Sequence, residues 1–204
     1  MKITPNFSTR FISSVALFAW IIVAYTIPNQ FVLFPTTNVP LTTVDTWIPL
    51  SAPWTWIYIS YYPFIYFAYF AARSSGNAKR YLFMMAALAF VSMLIFIFFP
   101  TEIIREPYPL VGDDFSTFAL ATIRNLDNSV NCLPSMHIAM SCMAAYTYAS
   151  ESKTLGIFGF VWALLIAYST MATKQHYFLD VIGGVGLATT MVLAFKYFGR
   201  DRQF

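Results

Sequence analysis

Six runs of mainly apolar residues constrain this chain more than any other feature. A helix that crosses a bilayer needs about 20 such residues. The runs fall at residues 11–27, 54–72, 81–99, 134–149, 155–173 and 177–198. Pro63 sits inside the second run and predicts a kink, while Pro100 stops the third. Soluble domains carry roughly 25% charged residues; here 10% are charged and 58% hydrophobic, which makes lipid the fitting solvent. The expected fold class is all-α: an integral membrane bundle of about six transmembrane helices, forming one domain over residues 1–204. The first run has a basic leader in Lys2 and Arg10, but no A-x-A-like cleavage site follows it. It therefore reads as an uncleaved span instead of a signal peptide.

Charge placement orients the bundle. With both termini in the cytoplasm, the inner segments hold Lys2, Arg10, Arg73, Lys79, Arg80, Lys153, Lys196, Arg200 and Arg202, nine of the twelve basic residues. That bias follows the positive-inside rule. Arg105, Arg124 and Lys174 fall on the other face. The net charge of +3 is small and scattered, so nucleic acid is not an expected partner. Cys132 and Cys142 are ten residues apart, which on a helix is about 15 Å and too far for a disulfide. Two His, two Cys and no H-E-x-x-H helix make no metal-ligand set.

The chain has only two histidines, His137 and His176, both expected at the outward ends of helices. His176 and Asp180 are four residues apart and share a helix face. Either they form a structural polar pair near a helix end, or the carboxylate fixes one ring nitrogen and leaves the other as nucleophile. Pro134 and Ser135 read as a helix start and cap. Free N–H groups and the positive dipole end there suit a phosphate, and the start of the sixth run offers a second such end.

Pro134-Ser135-Met136-His137 resembles the P-S-G-H motif of the type 2 phosphatidic acid phosphatase superfamily. Ser169-Thr170, five residues, His176, three residues and Asp180 are similar to that superfamily's S-R-x5-H-x3-D motif. The stretch Lys174-Gln175-His176-Tyr177-Phe178-Leu179-Asp180-Val181 looks closest to the branch containing inositol-phosphorylceramide synthases. The resemblance covers about residues 100–190 and implies an acid-phosphatase-like core with no cofactor. It implies a lipid phosphate phosphatase in which His176 attacks phosphorus, Asp180 holds its ring and His137 protonates the departing oxygen. The alternative it implies is a phosphotransferase that hands a head group to a lipid alcohol. Ser135, Met136, Arg105, Lys174 and Ser169 would bind the phosphate. The partners are then a membrane lipid substrate and the bilayer of a plasma or inner membrane, with the site on its outer face; no oligomeric state follows.

Two positions depart from the pattern. The superfamily's K-x6-R-P motif has only Arg105-Glu106-Pro107 as counterpart, with Phe98 where Lys would fall, and Thr170 stands for the Arg of the third motif. Lys174 and Arg124 are candidate substitutes; otherwise Lys174 is a snorkelling interfacial residue and Arg124 a loop residue paired with Asp127 or Glu102. Asp113 and Asp114 read as a solvated turn, or else a head-group contact. Trp47, Trp54, Trp56, Tyr58, Tyr61 and Tyr62 read as an interfacial aromatic belt. Gly183, Gly184 and Gly186 predict close packing of the sixth run.

Overall fold

A computed structural model describes residues 7–105 and 114–198. Lys2, Glu106, Pro107, Asp113, Arg200 and Arg202 lie outside the described residues. Among the described residues nine α-helices follow in chain order: α1 (Phe7–Gln30), α2 (Thr43–Trp47), α3 (Thr55–Ile59), α4 (Tyr61–Ala71), α5 (Ser75–Phe98), α6 (Phe115–Leu126), α7 (Met136–Glu151), α8 (Lys153–Ala172) and α9 (Phe178–Phe198). Two short strands, β1 (Thr37–Asn38) and β2 (Thr101–Glu102), pair in parallel and tie the segment after α1 to the segment after α5.

Among the described residues four helices are long and apolar enough to cross a membrane: Phe7–Gln30, Ser75–Phe98, Lys153–Ala172 and Phe178–Tyr197. The other two expected spans appear as α3 with α4, and as the 16-residue α7. The expected kink in the second run is a one-residue interruption at Ser60, between α3 and α4, where Ser60 keeps helical angles and still donates to the Trp56 carbonyl at 3.1 Å. The cause lies at Pro63, whose ring clashes with the carbonyl of residue i−4 in a continuous helix, here Ile59. Trp162 Nε1 donates to Ser60 Oγ at 3.0 Å and fastens the break to α8.

The core centres on α7, which packs against α8, α4, α9 and α5, while α1 lies along α5. Small side chains explain the central place of α7. A Cβ on Gly156 would lie 2.9 Å from Ala149 Cα, and one on Gly159 3.0 Å from Ala145 Cα, so α8 approaches α7 backbone to backbone. Outward faces are as apolar as the interior: Phe83, Phe90, Leu164, Ile182 and Leu193 are all exposed. A surface of that kind suits lipid, and large contiguous apolar patches are rare on soluble monomers. The chain is an all-α membrane bundle.

The segment between the third and fourth apolar runs, by its polarity expected to be a loop over residues 101–132, contains α6. Asp114 caps that helix, its Oδ1 accepting from the amides of Ser116 and Thr117 and its Oδ2 from the Thr117 hydroxyl. These bonds, the Thr117 hydroxyl first, hold the Asp114 carboxyl below its ordinary range. Asp114 is thus a helix cap. The aromatic belt also divides: Trp47, Trp56 and Tyr62 are exposed, whereas Tyr58 and Tyr61 are buried.

Candidate active site

The starts of α7 and α9 meet at one end of the bundle, and both histidines lie there. Ser135 caps α7, its Oγ accepting from the Ile138 amide at 3.4 Å. The Ser135 amide donates to the Asp180 carbonyl at 3.0 Å and pins the two helix starts together. Glycine makes this approach possible, since a Cβ on Gly184 would lie 2.6 Å from the Ser135 carbonyl oxygen.

His176 Nδ1 faces Asp180 Oδ2 at 3.3 Å. The same carboxylate oxygen accepts from the Tyr177 amide at 2.8 Å, which fixes the carboxylate before it orients the ring. His176 Nε2 lies 3.4 Å from His137 Nδ1, and His137 Nε2 lies 3.1 Å from the Tyr58 hydroxyl. His176 and His137 are 5% and 8% exposed, and Asp180 is fully buried. An unpartnered imidazole chain of this kind would be costly inside protein, because each desolvated polar group needs a bond. Here every ring nitrogen has a partner.

The expected phosphate contacts separate in space. Arg105 lies on the His137 side, where its guanidinium donates to the Asp127 carbonyl at 2.6 Å and pairs with Asp127 Oδ2 at 3.1 Å. Asp127 also accepts from the Tyr25 hydroxyl at 2.5 Å and from the Asn29 amide at 3.2 Å. Asp127 therefore partners Arg105. Met136 lines a cavity of about 290 Å³ together with Tyr25, Tyr58, Asp127 and His137.

Lys174 and Ser169 point elsewhere. Lys174 Nζ donates to the carbonyls of Asp45 at 2.8 Å and Ile48 at 2.5 Å. Ser169 Oγ donates to the Ile166 carbonyl within its own helix. A second cavity of about 710 Å³ is bounded by Lys174, Arg124, Asp45 and Tyr177. The start of α9 is also partly filled: Phe178 donates its amide to Asp45 Oδ1 at 2.7 Å, and Tyr177 donates to Asp180. Those two amides serve protein carboxylates.

Asp45, Asp127 and Tyr58 belong to this end of the bundle, and no motif pointed to them. Asp45 is buried and closes a capping box with Thr42. The Thr-x-x-Asp spacing was readable as a helix start, but its second oxygen on α9 was not. Tyr58 carried only the signal of an aromatic belt.

The family model described as the PAP2 superfamily matches residues 37–194. No curated protein and no solved structure matches the chain.

Proposed function

The chain belongs to the PAP2 superfamily, and from that premise we propose that it hydrolyses a lipid phosphomonoester through a phosphohistidine on His176. One observation carries this reading: the buried chain of contacts from Asp180 through His176 to His137. Asp180 is an acceptor-only group when ionised, so it keeps the proton on His176 Nδ1 and leaves the Nε2 lone pair for phosphorus. As the N–P bond forms, the P–O electron pair leaves with the alcohol oxygen, which takes a proton from His137. Water then attacks the phosphoenzyme, with His137 now accepting its proton. Ser135, the first amides of α7 around Met136, and Arg105 are the proposed phosphate contacts. Lys174 and Ser169 support the loop before His176 in this reading.

The two facing nitrogens are 3.4 Å apart. A phosphorus about 3 Å from one, with its leaving oxygen about 2.9 Å from the other, needs more room. Substrate binding therefore parts the rings, and His137 borders the cavity into which it can shift. The basic residues outside the motif segments favour cytoplasmic termini, six crossings and a site on the outward face.

A second reading gives the phosphoryl group, with or without its head group, to a lipid alcohol. The near-complete burial of both histidines beside a mainly apolar cavity favours it, as does the Lys174–Val181 wording. The deciding experiment is phosphate release from a panel of lipid phosphates by detergent-purified protein, with and without added lipid alcohols. Release that disappears in His176→Ala supports the hydrolase; a new phospholipid formed only with an alcohol supports transfer. Equal inertness of wild type and His176→Ala in both arms overturns both.

A further inference from the structure

We propose that Tyr58 is the positioning residue for His137: its hydroxyl holds the ring in one orientation through both protonation states, leaving Nδ1 to exchange the substrate proton. The inference rests on the reading of His137 as the proton donor.

The direction of each hydrogen bond follows from the carboxylate end. Asp180 Oδ2 accepts, so His176 Nδ1 carries a proton. In a neutral ring His176 Nε2 is then an acceptor, and the nitrogen facing it, His137 Nδ1, must be the donor. A neutral His137 therefore has its lone pair on Nε2, where the Tyr58 hydroxyl donates at 3.1 Å. Three bonds run one way, from Tyr58 through both histidines to Asp180.

Packing alone cannot do this. Tyr61 and Tyr25 rings surround His137, with centroids at 4.7 Å and 6.4 Å, and they restrain the plane of the ring. A flipped ring has nearly the same shape, so only bonds at the nitrogens distinguish the two forms. Tyr58 supplies that distinction. A hydroxyl also both donates and accepts: it donates to neutral Nε2, and accepts from Nε2–H once His137 is an imidazolium. A carboxylate in its place would hold the charged ring and resist proton release. When the P–O bond breaks, the imidazolium gives its Nδ1 proton to the leaving oxygen and keeps its Nε2 proton, so Tyr58 stays the acceptor and the ring does not turn.

The helix break places this residue. Tyr58 lies in α3, which is held at its end by Ser60 bonding to Ile57 and Trp162. The hydroxyl is thus presented by a fastened turn of helix, and its side chain is 4% exposed.

The chain has two histidines, so 15N-histidine labelling yields two ring systems, and His176→Gln assigns them. Wild type at neutral pH is expected to show His137 protonated at Nδ1 with Nε2 as acceptor; protonation at Nε2 instead overturns the inference. In Tyr58→Phe the tautomer preference should weaken, and kcat should fall at least about tenfold with KM within about twofold. Unchanged ring-nitrogen shifts and kcat in a folded Tyr58→Phe protein also overturn it. If wild type processes no lipid phosphate, the reading of His137 as proton donor fails, while the ring-nitrogen spectrum still decides whether Tyr58 sets the tautomer.

Discussion

The two imidazoles lie within hydrogen-bonding reach of each other, yet their surroundings differ in kind. His176 is backed by a carboxylate that is itself gripped by a backbone amide at 2.8 Å. His137 is backed by a phenol and borders a cavity. A carboxylate commits its histidine to one tautomer and stabilises positive charge on that ring. A phenol tolerates the ring with or without its extra proton. Rigid backing suits a nucleophile, and reversible backing suits a proton carrier. The cations repeat the contrast. Arg105 is held by a carboxylate beside the His137 cavity, whereas Lys174, in the α8–α9 loop, is held by the carbonyls of Asp45 and Ile48.

The sharpest way to break this comparison is Asp180→Asn. It preserves shape but replaces the acceptor that fixes His176, and we expect kcat to fall by about 10²–10⁴-fold, with KM little changed, in steady-state assays. Activity within a few-fold of wild type would mean that the two backings are interchangeable. Arg105→Gln removes a charge-assisted contact and should raise KM about tenfold, or about 1.4 kcal/mol, read from Michaelis curves. A change confined to thermal stability would reassign Arg105 to pairing with Asp127 alone. Lys174→Met should give the smallest effect on catalysis: KM within about twofold, with stability lowered by about 1 kcal/mol through the lost carbonyl contacts. A large rise in KM would return Lys174 to the phosphate site.

Much of this end of the molecule was legible from the chain. Pro134-Ser135 reads as a helix start, and Ser135 caps α7. His176 and Asp180 share a helical face by spacing, and the structure sets them in contact. Gly183, Gly184 and Gly186 read as packing residues; the first two sit where a Cβ would collide with the segment before α7 or its first turn, whereas a Cβ on Gly186 would meet open space. The helix α6 escaped because its apolar side is short and its start lies beside a Pro- and Gly-containing stretch. Its signal was the Asp114 cap ahead of a phenylalanine, with Leu120 and Ala121 falling on the buried face.

Sequence alone determined the solvent and singled out the residues of the proposed chemistry. Apolar runs of fixed length leave a chain little choice but a helical bundle in lipid, and two histidines with one helically spaced carboxylate are the groups on which the proposed phosphoryl transfer rests. Only the tertiary structure decided which side chains back those groups. Tyr58 is 79 residues from His137, and Asp45 is 133 from Phe178. Partners so distant carry no local periodicity; they meet because small residues let α8 and α9 pack closely on α7 and the segment before it. The same physics separated Arg105 from Lys174, two cations that the chain presents as equals and the fold assigns to different walls.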